Sequence, residues 1–125
     1  MEIDKTGLDS RLFDALSVTS RRRYAYAYNL QTGVSRWSKH IAEDFDMPGE
    51  YILNALEIWG SLVHPEDRAK YFEDFQAIYE GKKDDHVMDY RVLDKKGNYV
   101  MCSCRGTISR GENGEPDLFA GSIVN

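Results

Sequence analysis

Apolar positions change period several times along the chain, and each change marks an element. Over residues 8–18, Leu8, Leu12, Phe13 and Leu16 recur at helical spacing, with Asp9 or Ser10 placed to cap a short amphipathic helix. Thr19 and Ser20 end it, and Arg21, Arg22 and Arg23 form a small basic junction that reads as solvated. From Tyr24 to Asn29 the period falls to two. Tyr24, Tyr26 and Tyr28 share one face and Ala25 and Ala27 the other, which predicts a strand. Gln31, Thr32 and Gly33 turn the chain into a second strand over Val34–Trp37, completing a hairpin. A short helical stretch from Ser38 through Ile41, Ala42 and Phe45 stops at Met47-Pro48-Gly49.

Tyr51 to Val63 carries apolar residues at 52, 53, 56, 59, 62 and 63, which predicts a helix weakened by Gly60. Pro65 suits a first helical position, and Glu66 and Asp67 suit the first turn that follows. That helix runs to about Glu80, with Tyr71, Phe72, Phe75, Ile78 and Tyr79 as its buried stripe and Gly81 as its cap. The last third alternates again. Strands are predicted over Asp85–Leu93, Asn98–Ser109 and Asp117–Val124, joined by turns at Asp94–Gly97 and Gly111–Pro116. Strand runs around a helical block predict an α+β fold with a mostly antiparallel sheet.

Composition narrows the class. At 125 residues the chain is one domain, and its 42% hydrophobic content supplies a core without a disulfide or metal staple. A net charge of -5 and a pI near 5.2 argue against general nucleic-acid binding. Met1 to Lys5 lack the layout of a signal peptide, and no apolar run approaches membrane-spanning length. Cys102 and Cys104 fall on one face of a strand and read as two reduced thiols, consistent with a cytoplasmic chain.

Candidate chemistry is sparse. His40, His64 and His86 stand in unrelated contexts with no paired ligand motif, so no metal site and no catalytic residue is assigned. His64 reads as a helix-entry residue that satisfies free backbone N–H groups. An enzyme would need a buried carboxyl with a raised pKa, and Asp89 is a poor candidate because it opposes Tyr90 in strand parity. The aromatics say more. Tyr26, Tyr28, Trp37, Phe45, Trp59, Phe72, Phe75, Tyr90 and Met101 are placed between sheet and helices, as core or as walls of a ligand cavity. Ser103 is their inward polar contact, and Arg105 reaches the rim.

These residues carry a resemblance. Tyr26-Ala-Tyr-Asn-Leu-Gln-Thr-Gly33, Ser35-Arg-Trp-Ser38, and Trp59 followed by Leu62-Val-His-Pro-Glu-Asp-Arg68 resemble the core of a PAS domain. Tyr90-Arg-Val92, Lys96-Gly-Asn-Tyr-Val-Met101, Gly106, Asn113-Gly-Glu-Pro116 and Gly121 resemble its PAC half. The resemblance spans residues 21–125 and leaves residues 1–20 as an N-terminal amphipathic helix or linker. It implies a five-stranded antiparallel sheet in the order 2-1-5-4-3 with helices on one face. It also implies a sensory and regulatory role in bacterial signal transduction, without catalysis by this fragment.

Cofactors are tested residue by residue against that resemblance. Flavin-binding members use an Asn-Cys-Arg-Phe stretch on the helical side, and here the cysteines lie only at 102 and 104. Haem-binding members place a histidine in the long helix, and residues 65–80 contain none. No cofactor is therefore expected, and an unidentified small ligand or a purely interacting module remains. Asn125 stands where the family often has the aspartate of an Asp-x-Thr exit segment. The resemblance then implies a covalent C-terminal effector, a GGDEF diguanylate cyclase or alternatively a histidine kinase. The apolar side of the N-terminal helix needs burial, across a partner or over the outer sheet face, and a homodimer formed through it is expected.

Overall fold

The computed structural model describes residues 2–19 and 23–125. The elements run α1 (Ser10–Thr19), β1 (Arg23–Asn29), β2 (Val34–Trp37), α2 (Ile41–Asp44), β3 (Tyr51–Leu53), α3 (Ala55–Leu62), α4 (Pro65–Tyr79), β4 (Asp85–Leu93), β5 (Tyr99–Arg110) and β6 (Pro116–Val124). Of the basic junction only Arg23 falls among the described residues, as an exposed residue of β1.

The sheet has the order β3-β2-β1-β6-β5-β4, and every neighbouring pair is antiparallel. The expected five-strand order is present as β2-β1-β6-β5-β4, and β3 adds a sixth strand at the edge. The helix expected over 51–63 is thus split. Ser35 pairs with Ile52, and its Oγ donates to the Ile52 carbonyl at 2.7 Å. Asn54 then takes a left-handed φ of 57°, which ends the strand and starts α3. The apolar positions of this segment satisfy both periods, so spacing alone could not separate a short strand from a helix.

Local chemistry sets the remaining boundaries. Asp9 caps α1, its Oδ1 accepting from the Arg11 N–H at 3.0 Å. His64 opens α4, its Nδ1 accepting from the Glu66 N–H at 3.1 Å ahead of Pro65. The end of α4 is a Schellman turn. Gly81, at φ 82°, donates to the Ile78 carbonyl, and the Lys82 N–H donates to the Ala77 carbonyl. The β4–β5 turn closes on Asp94, whose Oδ1 accepts from the N–H groups of Lys96 and Asn98.

The sheet has two differently covered faces. Tyr24, Tyr26, Trp37, Tyr90, Cys102, Cys104, Phe119 and Ile123 point to one face, where Ile41, Phe45, Trp59, Tyr71 and Ile78 from α2–α4 complete the core. On the other face α1 lies over Ala25 and Ala27. Arg36 fastens this N-terminal layer. Its guanidinium meets Asp4 at 3.0 Å, Asp14 at 2.7 Å and Glu50 at 2.8 Å, and it stacks on Phe13 at 4.6 Å. The Asp4 carboxyl is buried, which works to raise its pKa. Hydrogen bonds from Thr6, Leu8 and Arg36 outweigh that burial and hold it below the usual range.

Candidate functional site

The space between sheet and helices is an aromatic stack. Tyr26 lies parallel to Trp37 at 5.1 Å and to Phe119 at 5.8 Å. Trp37 leans on Trp59, and Phe45 meets the Trp59 ring edge-on at 5.2 Å. The polar tips are paired within the stack. Trp59 Nε1 donates to Tyr90 Oη at 2.9 Å, Trp37 Nε1 to Ser35 Oγ at 2.9 Å, and Tyr71 Oη to the Leu56 carbonyl at 3.0 Å. Burial pushes the Tyr26, Tyr71 and Tyr90 phenols well above their usual range, so all three stay neutral donors.

Two small voids remain in this stack, of about 20 Å³ and about 10 Å³. The larger has room for one water, whereas organic-ligand pockets run to roughly 300–1,000 Å³. Of the candidate residues, Tyr26, Tyr28, Trp37, Trp59, Phe75 and Tyr90 line it. Phe45 is fully buried behind Trp59 and does not reach it. The interior does not fit a flavin or a haem. Cys104 lines the void from a strand, and burial pushes its thiol up to about 11 and that of Cys102 up to about 12.

Three expected members lie elsewhere. Phe72 is 41% exposed, because Tyr71 takes the core-facing position of α4. Met101, 59% exposed, and Ser103 sit on the outer face of β5. Register explains this: Cys102 is paired with the buried Tyr90, so Met101 and Ser103 share the parity of Arg91 and Asp89. Ser103 Oγ donates outward to Asp89 Oδ1 at 2.7 Å. Tyr71, Cys104 and Phe119 line the void in their place. The helical stripe already contained Tyr71, and parity with Cys102 contained Cys104.

His86 is a further buried group. Its side chain has no exposed surface, and its Nδ1 hydrogen-bonds Asp74 Oδ2 at 2.5 Å. Nε2 has no hydrogen-bond partner. The other chemistry among the described residues is thin. No group of three His, Cys, Asp or Glu side chains could hold a metal ion. The carboxyls displaced from their usual pKa (Asp4, Asp67, Asp74, Glu80 and Asp89) are all displaced downward, away from a general acid. An open polar cleft of about 620 Å³ lies between Tyr24, Asp44, Lys95 and Asn125. No helix among the described residues is long and apolar enough to cross a membrane.

Comparison with known proteins agrees with this architecture. A family model described as PAS fold matches residues 34–123. The N-terminal domain of a diguanylate cyclase with PAS/PAC sensor from Marinobacter aquaeolei is similar at 24% identity and a TM-score of 0.69, covering 82% of this chain and 94% of that one. A sensory box histidine kinase/response regulator from Burkholderia thailandensis E264 is similar at 24% identity and a TM-score of 0.66, covering 89% and 82%. The PAS domain of a Colwellia psychrerythraea protein is similar at 16% identity and a TM-score of 0.63, covering 94% and 97%. No curated protein matches the chain. With 90 of its residues matched by the family model and its sheet in the corresponding order, the chain belongs to the PAS-fold family.

Proposed function

We propose that this chain is a regulatory PAS domain that relays a signal through its packed aromatic interior, without a resident organic ligand, to an attached output domain. The observation that carries this reading is the interior itself: the larger void is about 20 Å³, room for one water. The exit strand is well placed for the relay. β6 is hydrogen-bonded to β1 on one side and β5 on the other, and its Ile123 is buried in the stack. A change in packing around Tyr26 or Phe119 therefore acts directly on β6. A diguanylate cyclase is the favoured output and a histidine kinase the alternative, since the same fold occurs in proteins described by those names. The N-terminal segment 1–20 attaches to the PAS body at residues 21–125. It is the homodimer contact in this reading, because α1 leaves Leu12 60% and Val18 82% exposed. Native mass spectrometry of the purified chain tests the absence of a ligand. Protomer masses alone are expected, and a stoichiometric co-purified organic molecule overturns the reading.

A further inference from the structure

α4 is tied to β4 at two points. Asp67 and Asp74 are seven residues apart, about two helical turns, so both carboxylates lie on one face of α4. Asp67 meets Arg91 and Asp74 meets His86. The two basic partners differ. The Arg91 guanidinium is always charged and partly solvated, whereas the His86 imidazole is titratable and fully buried.

On balance the surroundings of His86 favour its neutral form. The ring stacks on Phe75 at 4.3 Å, with Tyr71, Tyr90 and Phe119 around it. The Nδ1–H is placed on Asp74, whose other oxygen pairs with Lys83. Nε2 is the only buried side-chain N or O without a partner among the described residues. A neutral ring leaves only an unused acceptor lone pair there. A protonated ring puts an N–H donor there with no acceptor, inside an apolar wall. Among charged groups, Asp74 of α4 favours the protonated ring, while Lys83 of the α4–β4 turn and Arg105 of β5 oppose it. Tyr71 of α4 and Tyr90 of β4 are neutral neighbours, and Phe119 of β6 carries no charge. Burial dominates and lowers the proton affinity of His86.

We propose that His86 is a proton-operated pin, which on protonation releases the C-terminal part of α4, residues 74–79, from β4 while the Asp67–Arg91 tie holds the other end. Release brings Nε2 to water and uncovers Phe75 and Phe119. The device acts at the α4–β4 contact, through the Asp74–His86 and Asp67–Arg91 ties. Its failure leaves the packed-interior reading intact, and a ligand in the mass spectrum leaves the pin intact.

Amide hydrogen exchange of the 125-residue chain tests it, from about pH 7.5 to about pH 4.5 and corrected for the intrinsic rate. Protection over residues 74–82 is expected to fall by about tenfold or more. Residues 65–70 and β1 are expected to hold. The midpoint must coincide with the His86 ring titration followed by NMR, and His86→Phe, which keeps the stack on Phe75, must abolish the change. Uniform protection across the range, a midpoint apart from that of His86, or acid release persisting in His86→Phe each overturns the proposal. The midpoint comparison needs no variant, so it decides the matter even if His86→Phe does not fold.

Discussion

Arg91 donates its backbone N–H and its Nε to one oxygen of Asp67, at 3.0 and 2.9 Å, and its Nη2 to the other at 3.0 Å. Three donors on one carboxylate hold the Asp67 pKa down to about 2, chiefly through the side-chain hydrogen bonds. In the unfolded chain this carboxyl binds a proton near its ordinary 3.8, so folded stability is present above that pH and lost as pH falls toward 2. Asp67→Asn is expected to lower the melting temperature at neutral pH by about 4 °C and to flatten the stability curve below pH 4. Circular-dichroism melts across pH check this, and an unchanged acid limb would contradict it.

A second, separate acid limb is expected from His86. Its folded proton affinity is lowered, so the unfolded chain takes up a proton first as pH falls below about 6.5. That part of the stability is complete above 6.5 and declines below it. Urea unfolding at pH 7.5 and pH 5.5 should show a loss in the native chain that His86→Phe lacks.

Tyr90→Phe leaves the buried Trp59 indole N–H without its acceptor. The expected cost is about 1–3 kcal/mol. Urea denaturation followed by fluorescence measures it, and a loss of a few tenths would show that the indole finds another partner.

Gly106→Ala is expected to be severe for a single methyl group. A Cβ there would stand 2.3 Å from Tyr26 Oη and 2.7 Å from the Phe119 ring, both held in the stack. Overpacking of this kind costs about 1–3 kcal/mol or more. Gly33→Ala is the control for space, since its Cβ would meet nothing within 4 Å and only its φ of 79° opposes it.

Both thiols should be silent in the folded chain. Cys102 and Cys104 are buried and held as thiols at neutral pH, so Ellman's reagent is expected to titrate none natively and two after denaturation. Rapid reaction of either in the native chain would place that strand nearer solvent.

Leu12→Glu tests the dimer. Leu12 is exposed on α1 and lies outside the Arg36 cluster that fastens the helix. Sedimentation at tens of micromolar is expected to show a dimer for the native chain and a monomer for the variant. A native chain that sediments as a monomer removes the α1 contact.

Much of the fold is legible in the pattern of positions. Val34–Trp37 and Asp85–Leu93 coincide with their predicted strands, and His64-Pro65 marks the start of α4. The candidate cavity was harder to read. Parity divides a strand into two faces but does not say which is inside. In β5 the bulkier set, Tyr99 and Met101, is the exposed one, while Cys102 and Cys104 take the interior because bulky rings from β1, β4 and β6 already occupy it. His86 looked unremarkable because its partner, Asp74, is brought to it only by the return of β4 alongside α4. Arg36 was similarly hidden, its three carboxylates lying on segments far apart in sequence.

The central place of β6 bears on synthesis. Of the six strands it comes last in sequence, yet it joins β1 to β5. Until it leaves the ribosome, β1–β2–β3 and β4–β5 are two ribbons with unpaired inner edges and no common sheet. Closing the sheet requires pairing Arg23 with Val124 across nearly the whole chain. Such a nascent chain cannot complete its sheet before β6 appears, and until then the inner edges of both ribbons keep their backbone groups unpaired.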